Sequence, residues 1–311
     1  MISLRNILSV VLALMSLMPV AAQQDFMVSQ YNFNALMLNP AYAGAHKYNQ
    51  FTTTYRNQWN IEGAPTTQVL CMDGSLEKAP LGIGLVMTSD KIGVVKERTV
   101  SADLSYKVRT RLGKLSFGLR GGYVNYRATL DELVYWDEDD PVYQAGALSE
   151  GFMTMGFGAF LSSSTERWFI GLSSPAYYAK DEALRSNPND RFYSRHYYVY
   201  GGGVFSTGFG LALKPSTMIR YMDGSPLLVD LNLHALVMGT DNTALWIGGG
   251  YRTNSSFVAS LEAQLPYNLR VGYSYDLIGN DLYEHLGATH EVQIGLNFGG
   301  KNVVIQSPRY F

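Results

Sequence analysis

Ionisable side chains recur at one parity of an alternating pattern. Arg56, Asp103, Arg109, Arg120, Asp230, His234, Arg252, Glu262, Arg270 and Asp276 each stand opposite a stripe of apolar residues. Their signs are mixed, so brought together they would pair with one another. A second concentration is acidic: Asp131, Glu132 and the run Asp137, Glu138, Asp139, Asp140. Carboxylates at that density suit a calcium ion. Their spacing is not that of a helix–loop–helix calcium site, and a solvated acidic loop over 131–140 is the simpler expectation. The histidines, His46, His196, His234, His285 and His290, show no metal-ligand spacing. Nucleophile-elbow, phosphate-loop and dinucleotide patterns are missing as well. The sequence therefore predicts no enzyme, no cofactor and no metal centre.

The elements that must position the charged row are strands. In QFTTTYRNQW (50–59), Phe51, Thr53, Tyr55, Asn57 and Trp59 share one parity, and Gln50, Thr52, Thr54, Arg56 and Gln58 share the other. A period of two puts the two sets on opposite faces of a strand. The pattern repeats. Leu104 and Tyr106 oppose Asp103, Leu119 opposes Arg120, Leu231 and Leu233 oppose Asp230 and His234, Leu261 opposes Glu262, and Val271 and Tyr275 oppose Arg270 and Asp276. Tyr198, Tyr200 and Val204 suggest a further strand within 196–206, and TTQVLCMDGS (66–75) fills a gap of strand length. About fourteen strands of roughly ten residues result, the number parity and length of a bacterial membrane barrel.

Composition agrees. Charged residues make up 16% of the 311 residues, against roughly 25% in soluble domains, while mean hydropathy is only −0.04. The opening MISLRNILSVVLALMSLMPVAA has a basic start at Arg5, an apolar run and small residues at its end, so residues 1–22 read as a secretory signal. Its removal takes the net charge from −2 to −3, which gives no support to nucleic-acid binding. Cys71 is the single cysteine, so an internal disulfide is excluded. No later apolar run is long enough for a spanning helix.

The connections also alternate. RLGK (111–114), SSSTER (162–167), GTDN (239–242) and LPYN (265–268) are short, whereas 127–152, 174–195 and 277–289 are long. Short turns at one end and long loops at the other are the outer-membrane pattern. The fold expected is all-β, a transmembrane antiparallel barrel over 47–298. A short non-strand segment at 23–46 precedes it, and a periplasmic tail at 299–311 follows. The segment 23–46 reads either as a plug folded into the lumen or as a periplasmic lead-in. Arg56, Asp103, Arg120, Asp230, His234, Arg252, Glu262, Arg270 and Asp276 are expected to line the lumen. Tyr135, Trp136, Tyr177, Tyr178 and Arg191 fall in the two longest loops, where aromatic residues and arginine suit a protein-binding surface.

A set of motifs runs in order along the mature chain: SQY (29–31), LNPAYAG (38–44), YRNQW (55–59), Gly63-Ala64-Pro65-Thr66, LGIGL (81–85), Pro215-Ser216, GYSYD (272–276), His290-Glu291 and SPRYF (307–311). The set resembles the PorP/SprF family of type IX secretion system membrane proteins. That resemblance implies an outer-membrane barrel of a Gram-negative bacterium, in contact with outer-membrane lipid, with other secretion-system subunits and with a secreted substrate protein or adhesin. It further implies a role in protein export, surface attachment or gliding motility. It carries over no catalytic residues. The alternative is a diffusion channel or apolar-solute transporter, which needs an open lumen.

Overall fold

The computed structural model describes residues 28–46, 48–59, 61–76, 78–129, 147–180, 195–207, 211–222, 225–240, 243–253, 256–279 and 287–299. The strands are β1 (Asn49–Asn57), β2 (Thr66–Ser75), β3 (Leu81–Ile92), β4 (Val95–Arg109), β5 (Gly113–Thr129), β6 (Ala147–Ser163), β7 (Trp168–Lys180), β8 (His196–Gly203), β9 (Phe205–Ser206), β10 (Ala212–Met222), β11 (Leu228–Gly239), β12 (Ala244–Arg252), β13 (Ser256–Leu265), β14 (Leu269–Ile278) and β15 (Thr289–Phe298). Neighbours pair antiparallel, and β15 returns to pair with β1, from Asn49 opposite Phe298 to Asn57 opposite His290. Fourteen strands thus close a barrel, and the two-residue β9 lies outside the ring. Closure leaves no unpaired edge, as lipid requires.

The alternation sets which side chains meet lipid. On β4, Val100, Leu104 and Tyr106 are exposed while Ser101, Asp103 and Ser105 are buried. On β5, Phe117 and Leu119 point out and Ser116 and Arg120 point in. On β1, Tyr55 is outward and Arg56 is 4% exposed. An outer aromatic band joins Phe157, Tyr177, Tyr197 and Tyr221 through ring contacts of 5.3, 6.4 and 6.1 Å, the girdle expected where a barrel crosses the membrane interface.

Proline marks the irregularities. Pro215 of β10 lacks an N–H, and β10 changes partner beside it, pairing with β9 through Leu213 and with β8 from Ser216 onward. Pro175 of β7 falls at the bulge where the pairing with β6 slips between Met155 and Phe157.

Several boundaries differ from the sequence reading. The connection read as 127–152 narrows to 130–146, because β5 runs to Thr129 and β6 begins at Ala147. That read as 174–195 loses its first seven residues to β7. Tyr177 and Tyr178 are therefore strand residues, not loop residues. Tyr198 and Tyr200 lie on β8, within the strand expected at 196–206. They face inward and are buried, and Val199 takes the outward position. Aromatic rings are not confined to the lipid face here, because the lumen has its own apolar contents. The loop-length asymmetry is real but incomplete: β3 and β4 are joined by Gly93 and Val94 alone at the end where the longest loops lie.

Candidate functional site

Residues 28–46 lie inside the barrel. Tyr31, Leu36, Asn39, Ala41, Tyr42 and Ala43 are each at most 1% exposed. The segment has two short 3-10 turns, Tyr31–Phe33 and Pro40–Tyr42, and is otherwise irregular. Such backbone at membrane depth is tolerated only where protein surrounds it. The wall supplies its partners in two different ways.

The first is ionic. Arg56 of β1 donates to Glu291 of β15 at 3.0 Å and to Asp276 of β14 at 2.8 Å. Arg252 of β12 pairs with Asp230 of β11 at 2.9 Å and reaches Asp276 at 3.7 Å. Ser29 and Gln30 enter this cluster. Their backbone N–H groups donate to the two oxygens of Glu291, each at 2.8 Å, and Arg56 also donates to the Ser29 hydroxyl at 2.9 Å. Across the lumen, Arg120 of β5 holds both oxygens of Asp103 of β4 at 2.7 Å. The same guanidinium donates to the carbonyls of Met37 and Leu36, at 2.9 and 2.6 Å. Arg270 donates to the Phe33 carbonyl at 3.2 Å and lies 5.1 Å from that ring's centre.

The second is steric. Asn39 accepts from the Ala41 N–H at 2.9 Å and donates to the carbonyls of Ala159 and Leu172 at 2.9 and 3.3 Å. Pro40 takes the first position of its turn, where its missing N–H does no harm. Ala41 presses onto Gly118 of β5, where a Cβ would lie 2.1 Å from the Ala41 nitrogen. A Cβ at Gly82 of β3 would fall 2.0 Å from the Ala43 carbonyl oxygen. That oxygen accepts from Ser105, at 2.6 Å. Tyr42 meets Phe160 edge-on at 5.4 Å, and Phe160 and Phe169 pack on Tyr200 behind it. Gly44 closes the turn at φ +61°, with its N–H on Asp73 at 2.8 Å. Burial, reinforced by Asp73, pushes the Tyr42 hydroxyl well above the ordinary tyrosine range, and burial with Asp230 does the same for Tyr31.

The nine residues expected in the lumen all face inward. Eight are buried, and Glu262 is half-buried. The structure divides them among distinct contacts. Arg56, Asp276, Arg252 and Asp230 share one cluster, Asp103 and Arg120 form another, and Arg270 stands on Phe33. Glu262 pairs with Lys214 at 2.5 Å, and His234 meets the Ser260 hydroxyl at 2.8 Å. Of the residues expected to bind a partner protein, Tyr177 and Tyr178 are exposed on β7, and Arg195 lies over the Tyr177 ring at 5.0 Å. Tyr135, Trp136, Arg191 and the acidic stretch 131–140 lie outside the described residues. Sequence reasoning missed Glu291, Lys214 and the glycines under Ala41 and Ala43. The glycines carried a signal, since Gly118 and Gly158 fall on the lumenal parity and face each other across β5 and β6. No cluster of His, Cys, Asp and Glu suited to a metal occurs among the described residues.

The family model described as "Type IX secretion system membrane protein PorP/SprF" matches residues 20–296. No similar curated protein sequence was found. Among solved structures, the chain is similar to a Pseudomonas aeruginosa FadL homologue at 12% identity and TM-score 0.49, covering 88% of this chain and 94% of that one. It is also similar to a deletion mutant of the TodX monoaromatic hydrocarbon channel at 10% identity and TM-score 0.46, over 89% and 95% of the two chains. The KdgM porin aligns at 8% identity and TM-score 0.37, over 80% and 99%.

Proposed function

Because the chain belongs to the PorP/SprF family of type IX secretion system membrane proteins, we propose that it supports export or surface retention of secreted proteins or adhesins rather than solute uptake. The chain is a multi-pass β-barrel of the outer membrane. The observation that favours an export role over a diffusion channel is the filled lumen: residues 28–46 are buried there and held from β1, β4, β5, β7, β14 and β15. A channel needs a water path, and a wall that spends its charges on its own N-terminal segment suits a scaffold. Its partners in this reading are other secretion-system subunits and a secreted substrate protein, with the aromatic outer face of β7 and the adjoining loops as the contact surface.

The test is deletion of the gene. The expected outcome is a particular secreted protein retained inside the cell or shed from its surface, with outer-membrane permeability to small solutes unchanged. Normal secretion together with reduced uptake of an apolar solute would overturn the reading in favour of transport.

A further inference from the structure

Above the buried segment the lumen holds a cleft, with about 840 Å³ of empty space including the part continuous with solvent. Its lining comes from the upper halves of β3 to β8 and β10, toward the strand ends that carry the longest loops, with Val28, Met37 and Leu38 as part of its floor. Met37, Leu38, Val86, Pro175 and Met218 supply apolar surface to the lining. Arg220 of β10 lines the same space. It is 5% exposed, and its Nη1 has no hydrogen-bond partner.

Arg220 differs from the other basic groups of the lumen. Arg56, Arg120, Lys214 and Arg252 each hold a carboxylate, and Arg270 holds the Phe33 carbonyl and ring. Arg220 has neither kind of partner among the described residues. A buried guanidinium left without a partner is costly, and its fork matches a carboxylate in bidentate geometry. The second guanidinium lining the cleft, Arg120, is already occupied by Asp103. Glu97, half-buried, also lines the cleft, and it would disfavour a dianion more than a single carboxylate.

We infer that this cleft binds a small organic carboxylate, with the carboxylate on Arg220 and a short apolar body against Met218, Val86 and Leu38. The site goes beyond the export role, and it requires binding without passage, because the segment below it stays in place.

The test uses the full mature chain in a non-ionic detergent and titration calorimetry with octanoate, with octanol and acetate as separate arms. Octanoate binds, and octanol and acetate each bind about tenfold or more weakly, because each lacks one half of the match. Arg220→Gln weakens octanoate by a similar factor, while Arg220→Lys retains part of the affinity. Met218→Trp leaves Arg220 intact and fills the apolar side, so it also loses octanoate, and it decides the matter if Arg220→Gln fails to fold. Absence of octanoate binding to the unaltered chain, equal binding of octanol, or unchanged octanoate affinity in Arg220→Gln or Met218→Trp would overturn the assignment. Secretion by cells carrying Arg220→Gln reads the export role separately.

Discussion

The buried segment is held differently at its two ends. At Ser29 and Gln30 the contacts are charged: Glu291 takes both backbone N–H groups, and Arg56 ties Glu291, Asp276 and the Ser29 hydroxyl together. At Asn39 to Ala43 the contacts are close and uncharged, backbone laid on glycine with a hydroxyl here and a carbonyl there, and charge enters only at Gly44, through Asp73 and Lys107. The ionic end belongs as much to the wall as to the segment, because Arg56, Asp276 and Glu291 would need one another even in an empty barrel. The glycine end has no such second purpose. A glycine at a lumenal position of a strand weakens that strand, so its use under Ala41 and Ala43 makes sense only with the segment in place. The ionic end therefore reports on the barrel, and the glycine end reports on the seated segment.

The largest effect is expected at the ionic end. Arg56→Met leaves Glu291 buried with no cation in contact and Asp276 with only the more distant Arg252. Removing one partner of a buried pair costs roughly 3–5 kcal/mol. Urea unfolding of the barrel in lipid vesicles should show that loss globally, along with loss of the folded, heat-modifiable gel band. A change confined to residues 28–46 would show that the cluster serves the segment and not the wall. Leu104→Arg provides a wall-only reference. Leu104 is 51% exposed on β4 and faces lipid, and an arginine on the lipid face costs roughly 2–4 kcal/mol at the bilayer midplane and less near the interfaces. The same unfolding assay should show destabilisation, with the protease sensitivity of residues 28–46 in the folded fraction unchanged.

The wall was legible in the sequence because lipid and lumen impose a two-residue period that local pattern reveals. Every charge assigned to the lumen faces it, since a charge on the other parity would sit in hydrocarbon. Hidden were the features set by contacts distant along the chain. Arg56 meets Glu291 of β15, which becomes a neighbour of β1 only on closure, and Asp276 of β14, one strand further round. The strand at Tyr198 and Tyr200 was legible, but not that its rings turn inward, where Phe160 and Phe169 lie beside Tyr200. β2 read weakly because its inward residues Val69 and Cys71 are apolar and its outward Gln68 is polar. Its lumenal face packs against the buried segment, not water, which reverses the usual contrast. NPAYAG was conspicuous as a motif, yet its meaning depends on Gly82 and Gly118, which no local pattern links to it.

At the glycine end the predicted effects are smaller and local. Gly118→Ala places a methyl group where the Ala41 backbone now lies. Overpacking of this kind costs roughly 1–3 kcal/mol. The β4–β5–β6 ladder can accept alanine, so the strain falls on the segment. The expected result is a barrel that unfolds at nearly the same urea concentration but whose residues 28–46 become open to protease, with raised ion conductance in planar bilayers. Unfolding that moves as far as in Arg56→Met would abolish the distinction between the two ends.

Asn39→Ala gives the smallest effect, at the point where segment and wall are joined. The Asn39 side chain joins three backbone groups, the Ala41 N–H and the carbonyls of Ala159 and Leu172. Two of these belong to the wall and one to the segment, so Asn39 is the stitch between them. Its removal leaves the Ala41 N–H without its cap, worth roughly 0.5–2 kcal/mol. The two carbonyls lose less, because strand carbonyls keep their ladder partners while giving up a second donor. No methyl group intrudes, so nothing pushes the segment off Gly118 and Gly158. The expected outcome is a segment that stays seated but exchanges its amide protons faster over 39–44, with Ser29 and Gln30 as protected as before. Hydrogen exchange read by mass spectrometry on those two stretches separates the cases. Faster exchange at both stretches would mean that the segment moves as one body, and that the charged and close-packed ends do not act independently.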